Sequence, residues 1–361
     1  MSVPLALKAS HDIAASDVEH AAGLPGSEGL DAQRCLRWVE EATGQVRYQT
    51  ERHLYQFRQR PEEYDHSEGV YRMMWLVTVL QRDLGVHYHQ DVIDKDDHGF
   101  FADSANLFIH GIIQGKGGTC SSMPVLFAAV GRRLGYPLKL VPCKRHCFVR
   151  WEGRDGERFN VECTTRGYVS HPDEYYLKWP EETTPEEVRL YRLLQAETQD
   201  DEVADLLCKR GHVWYEHGRY GDAAFEYLAA YRQSPGREAI VNCIHRAVMA
   251  WGKHLRAQIG RGFPSVVVCN QPVRHPDLPE NLQVEMNYLT VLEVMLNDPL
   301  RKQLWWEPLR QDPACRPPGM PGCIRVTYPK TPGDPLRLEA SEPPKRPRYQ
   351  YTGACFQAYF N

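Results

Sequence analysis

Cys120 stands at the end of the run Gln114-Gly115-Lys116-Gly117-Gly118-Thr119-Cys120, where glycines interrupt regular structure just before a thiol. Met123, Phe127, Val130 and Leu134 then recur at helical spacing, so a helix is expected to open at or beside Cys120. Free backbone N–H groups at a helix N-terminus favour negative charge and help a thiol ionise. His146 follows in Pro142-Cys143-Lys144-Arg145-His146-Cys147-Phe148-Val149. Glu162 lies in Phe159-Asn160-Val161-Glu162-Cys163-Thr164. Both segments read as strands. A thiolate, an imidazole that moves protons and an acid that orients the imidazole are the parts of a nucleophilic cysteine site. The chemistry they point to is attack on an acyl carbon through a thioester.

Whether His146 meets Glu162 depends on the hairpin between them. Gly153-Arg154-Asp155-Gly156 supplies the turn. An odd-numbered loop, or a one-residue bulge, puts both side chains on one face. A slip by one residue sets His146 against Cys163 and turns Glu162 away. Asn160 has the same parity as Glu162 and is a second candidate to orient the imidazole.

Other patterns are weaker. Cys143 and Cys147 have a loose metal-ligand spacing, but no second pair answers them, and tetrahedral zinc takes four ligands. His87-Tyr88-His89 lacks a third ligand. No metal and no cofactor is therefore expected. Lys144 and Arg145 flank His146 and read as solvated surface charges rather than as a dock for a carboxylate substrate.

The elements around these residues follow from periodicity. Residues 1–30 are polar and rich in Gly, Ala and Ser, and are expected to be irregular. A charged helix is predicted from Asp31 to about Arg60. Ser67 can cap the next, with Val70, Met73, Val77, Leu80 and Leu84 on one face and a stop at Gly85. Val86 to Val92 is ambiguous, and Phe100 to Ile113 reads as loop-like and then apolar. Strands are predicted at Leu138–Cys143, Cys147–Trp151 and Arg158–Thr164, so the first domain is α+β. From about Pro185 the chain is helical. Leu207, Gly211, Trp214, Gly218, Tyr220, Ala223, Tyr227, Ala230 and Pro235 fit one tetratricopeptide (TPR) unit, with a degenerate second ending at Leu289 to Pro299. One such unit cannot bury its apolar face alone, so it is expected chiefly to pack within the molecule. Residues 312–347 are dense in Pro and Gly and read as an extended tail with an aromatic end, Tyr349 to Phe360.

Composition narrows the class. At 361 residues the chain has room for two domains. A net charge of -4 gives no support to nucleic-acid or anionic-membrane binding. No apolar run reaches the length of a membrane span. Met1 to Gly26 lacks the basic and then apolar pattern of a secretory signal. Eleven scattered cysteines, an odd number, suit reduced thiols and a cytoplasmic location.

The segment from about Asp103 to Tyr168 resembles the transglutaminase-like superfamily, a branch of the papain-like cysteine fold. The resemblance rests on Gly117-Gly118-Thr119-Cys120, Leu134-Gly135-Tyr136-Pro137, His146-Cys147-Phe148-Val149 and Glu162-Cys163-Thr164. The family usually carries Asp-Pro-Thr on the third strand; here Glu162 and Cys163 stand at the Asp and Pro positions. The resemblance implies Cys120 as nucleophile, His146 as acid and base, and Glu162 as orienter. Gln114, six residues before Cys120, looks like the oxyanion glutamine of the papain family and is a candidate donor to a tetrahedral intermediate.

The resulting expectation is an irregular segment at 1–30, a transglutaminase-like α+β domain at 31–180, a TPR-like helical domain at 181–306 and a Pro-rich tail at 307–361. The expected activity is cysteine-dependent acyl transfer on a protein or peptide carbonyl, by hydrolysis or transamidation. The alternative is a non-enzymatic scaffold that binds a protein partner through its TPR-like helices.

Overall fold

In the computed structural model, which describes residues 12–93, 99–259, 323–327 and 337–341, helices lead and a small sheet follows. The chain forms α1 (Ile13–Ala21), α2 (Ala32–Arg52), α3 (Leu54–Gln59), α4 (Glu68–Thr78), α5 (Gln90–Ile93), α6 (Ser104–Leu107), α7 (Ile109–Ile113) and α8 (Met123–Arg133). Strands β1 (Leu138–Cys143), β2 (His146–Glu152) and β3 (Arg158–Val161) come next. Then follow α9 (Asp173–Tyr176), α10 (Pro185–Tyr191), α11 (Gln199–Glu216), α12 (Tyr220–Gln233) and α13 (Glu238–Ile259). Contacts divide the chain into two compact units, residues 1–213 and 214–361.

The first unit is α+β and is built around α8. Every residue from Met123 to Gly131 is buried, so α8 is apolar on all sides and must be surrounded. Val39 and Val46 of α2, Met73 and Leu76 of α4, and Ile13 and Val18 of α1 share its core. The antiparallel sheet β1-β2-β3 covers another side through Leu138, Leu140, Val149, Trp151 and Val161. The outer edge of β1 is closed by later chain, because Leu194 N donates to Pro142 O at 2.8 Å and Glu197 N to Leu140 O at 2.9 Å. Covering an edge in this way removes a template for unwanted strand pairing.

Ser67 caps α4 as the sequence predicts, accepting from Val70 N at 2.9 Å. The first segment departs from expectation: Ile13–Ala21 is a helix, not irregular chain. Asp12 caps it by accepting from Ala14 N at 3.0 Å, and Ile13, Ala14, Val18 and Ala21 form its buried face. Its small residues resemble loop composition, yet they are what lets the helix lie close to its neighbours. The Phe100 to Ile113 stretch likewise folds into the short helices α6 and α7.

In the second unit α12 and α13 pack as neighbours. Trp214, Ala223, Tyr227 and Ala230 are buried, and the Arg219 guanidinium lies 4.0 Å from the centre of the Trp214 ring. Within the Pro-rich tail the described residues are two antiparallel strands, β4 (Cys323–Thr327) and β5 (Arg337–Ser341). The degenerate unit at Leu289 to Pro299 and the aromatic end at Tyr349 to Phe360 lie outside the described residues. Among the described residues no helix is long and apolar enough to cross a membrane, and no disulfide forms.

Candidate active site

Cys120 lies in the turn that precedes α8 rather than on the helix itself, and it is partly exposed. The turn is held from several sides. Thr119 Oγ1 donates to Asn106 O at 2.5 Å, and Met123 N donates to Thr119 O at 2.9 Å. Ser121 Oγ reaches Leu107 O at 3.2 Å, and Lys209 Nζ of α11 donates to Ser121 O at 2.9 Å. With its neighbours fixed, the Cys120 sulfur has little freedom to wander. Its Sγ lies 4.0 Å from the carbonyl oxygen of Arg145 in the β1–β2 turn.

The two strands bring the other groups. Glu152 pairs with Arg158, so residues 153–157 form a loop of odd length, and the face parity that joins His146 to Glu162 results. The contact is diagonal, not directly across. Val149 pairs with Val161 and β3 ends there, and Glu162 N then turns to Val169 O at 2.9 Å. From that position Glu162 Oε2 meets His146 Nε2 at 2.8 Å. The side chains are buried, with 5% of His146 and 1% of Glu162 exposed. Glu162 Oε1 accepts from Thr164 N at 2.9 Å and from Thr164 Oγ1 at 2.6 Å, and Tyr176 OH lies 3.3 Å from Oε2. The extra methylene of Glu is thus accommodated by a carboxylate whose two oxygens are both engaged.

With Nε2 on Glu162, the other ring nitrogen is left for the thiol. Burial by itself would pull the His146 imidazolium down. Hydrogen bonds to Cys120 and Glu162, with their charges, outweigh it and raise the group to about 9. Burial pushes Glu162 up, but its bonds to His146 and Thr164 prevail and hold it below the usual carboxylate range. The Trp179 ring stands edge-on to His146 at 4.8 Å and 74°. Burial raises the thiols of Cys143 and Cys163, which keeps them protonated and sets them apart from the exposed edge of the site.

Two further candidates lie elsewhere. Asn160 does not meet His146. It sits opposite Arg150, whose Nε donates to its Oδ1 at 2.7 Å, while its Nδ2 donates to His171 O at 2.9 Å. Gln114 caps the C-terminal end of α7, where its backbone N–H donates to His110 O at 2.9 Å, and it is exposed. Lys144 is engaged by Glu181 and Glu187, each at 2.8 Å, so its charge is neutralised locally. Among the described residues no group of three or more His, Cys, Asp or Glu side chains could hold a metal ion.

The structure adds Tyr88. His89 N donates to Gly118 O at 2.8 Å and Gly118 N to His87 O at 2.9 Å, a parallel bridge that lays residues 87–89 along the glycine run. Gly117 faces residues 87–89 and Gly118 faces the core. A Cβ on Gly117 would meet His87 Nε2 at 3.1 Å and His89 Cα at 3.2 Å, and one on Gly118 would meet Met123 Cγ at 2.5 Å. Tyr88 thereby comes into hydrogen-bonding reach of both the backbone N–H and the thiol of Cys120. Burial first, and the charge of Cys120 next, push its phenol up to about 12. The sequence signal was faint: an aromatic residue in an unassigned segment, and glycines with no turn of their own to explain all of them.

Residues 45–205, which include Cys120, His146 and Glu162, match a family model described as the transglutaminase-like superfamily. No curated protein and no solved structure matches the chain. The fold of helices around a small sheet agrees with that match, and residues 45–205 form a transglutaminase-like superfamily domain.

Proposed function

We propose that this domain catalyses cysteine-dependent acyl transfer on a peptide or carboxamide carbonyl, with Cys120 as nucleophile, His146 as acid and base, and Glu162 as orienter. The observation that carries the reading is His146 bonded to the buried Glu162 carboxylate on one side and facing the partly exposed Cys120 on the other. An imidazolium retained to about 9 is charged at neutral pH and holds the proton that a leaving amine needs. The thiolate attacks the carbonyl carbon, and His146 gives its proton to the leaving amine. Water or a second amine, deprotonated by the now neutral imidazole, then resolves the thioester. Glu162 fixes the ring orientation and balances its charge. The family match supports this class of chemistry.

The second reading is a scaffold without catalysis, in which the residues buried at TPR spacing in 214–230 hold the helices together and the helices bind a protein partner. Intact-mass analysis of the full chain after exposure to p-nitrophenyl acetate separates the two. Acyl transfer predicts one acetyl adduct on Cys120, slowed about 10²–10⁴-fold in His146→Ala, as expected for losing a general acid–base. A wild-type chain that gains no adduct at Cys120 supports the scaffold.

A further inference from the structure

We propose that Gln81 is a positioning residue for the site: from the turn that follows α4 it pins the loop after Glu162 and so fixes how firmly that carboxylate holds His146. The inference rests on the acyl-transfer reading above and deepens it. Residues Val79–Asp83 form a π-helical turn, closed by Leu84 N donating to Val79 O at 2.9 Å. Such turns are frequent at functional sites. Gln81 is half-buried, and its side chain reaches residues 84 and 86 positions further along the chain. Its Nε2 donates to Thr165 O at 2.8 Å, and its Oε1 accepts from Gly167 N at 2.7 Å. A carbonyl can only accept and a backbone N–H can only donate, so both ends of the amide are used and its orientation is fixed.

Two observations tie this contact to the chemistry. The first is an unbroken run of hydrogen bonds from Gln81 to the imidazole. The loop that Gln81 holds is closed at its neck by Glu162 N donating to Val169 O at 2.9 Å. Inside it Thr164 N and Thr164 Oγ1 donate to Glu162 Oε1, and Glu162 Oε2 meets His146 Nε2 at 2.8 Å. Thr165 follows Thr164 directly, so a shift of the pinned backbone is passed to the carboxylate. The second observation is that the same turn steadies the thiol's side of the site. Val86 N donates to Leu80 O at 2.9 Å, and the chain runs on to His87, whose carbonyl accepts from Gly118 N at 2.9 Å. One turn therefore braces both the acid and the run that carries Cys120, which come from distant parts of the chain.

The test is made on the full chain with Gln81→Met, which keeps the length of the side chain and removes both hydrogen bonds. A loosened Glu162 holds the imidazolium less firmly, so the His146 titration, followed by NMR, should fall from about 9 towards the ordinary 6.5. The expected fall is about 0.4–1 pH unit, with acetylation of Cys120 by p-nitrophenyl acetate slowed about 2–10-fold, as the loss of partly exposed hydrogen bonds would give. Gln81→Asn keeps the amide but is one methylene too short to span both groups, and should move the titration the same way. In a Glu162→Gln background Gln81→Met should leave both the titration and the rate where they were, because Gln81 acts through that carboxylate. A lowered urea midpoint with the His146 titration unmoved overturns the role, since a purely structural contact gives that result, and leaves the acyl-transfer reading intact. Equal losses in the two backgrounds overturn it as well. A wild-type chain that iodoacetamide alkylates at Cys120 but p-nitrophenyl acetate never acetylates overturns the acyl-transfer reading, and the proposal with it.

Discussion

The two faces of the three-stranded sheet share one backbone and differ in almost everything else. The face toward α8 presents Leu138, Leu140, Val149, Trp151 and Val161 to an apolar core. The opposite face presents His146, Phe148 and Arg150 from β2 with Asn160 from β3, and Glu162 just past the strand end. It is covered by Tyr176, whose ring stacks on Phe148 at 3.9 Å, and by Trp179. Neither face is open to water, yet only the second holds buried charge. Burying a charge is costly unless it is paired and hydrogen-bonded. Accordingly Arg150 reaches Asn160, Asp173 and the carbonyl of Leu194, and Glu162 uses both oxygens. One face supplies non-directional stabilisation that tolerates shape-conserving change. The other depends on particular partners and fixes geometry.

Glu162→Gln should show the largest difference. Removing one partner of a buried ion pair costs about 3–5 kcal/mol. The loss should depend on pH. His146 is held to about 9 against an ordinary 6.5, so its contribution is complete below 6.5 and fades as pH rises through about 9. Glu162 is held below its ordinary 4.5, so its contribution is present above 4.5 and fades as pH falls. The gap between wild type and the variant is therefore widest between pH 4.5 and 6.5, read from urea midpoints across pH. A pH-independent gap would show that the pair is not charged.

Leu140→Ala probes the apolar face. It should cost about 2–5 kcal/mol at any pH, with Cys120 alkylation in the folded protein unchanged. A pH-dependent loss here would erase the contrast between the faces. Asn160→Ala should give the smallest effect, about 1–3 kcal/mol from leaving the buried Arg150 with an unmet donor. It should leave the His146 titration, followed by NMR, where it was. A displaced titration would return Asn160 to the role of orienter.

Much of this was legible in the chain, and the gaps have physical causes. The helix α8 and the bounds of β1 follow from the pattern, although α8 is buried on every side where the spacing marked one face. Parity put Glu162 on the His146 face, but the register that pairs Val149 with Val161 sets Glu162 across from Phe148, so the carboxylate reaches His146 diagonally. Asn160 has the same parity, and only the register reveals that Arg150 stands opposite it. Tyr88 is harder to foresee. A parallel bridge between residues far apart in sequence leaves no periodic trace, and its one visible consequence is Gly117, which lies against His87 and His89. The helix α1 was missed because alanine and serine serve loops and close-packed helices equally well.

The Lys209–Ser121 hydrogen bond joins residues 88 positions apart and ties α11 to the carbonyl next to Cys120. It lies beyond residue 205, where the family match ends. Contacts of long sequence separation form only after the intervening loop has closed, and loop closure is entropically costly. During synthesis the cysteine emerges long before the lysine that steadies its turn. The thiol is therefore made early and given its final setting late, once α11 has left the ribosome and docked.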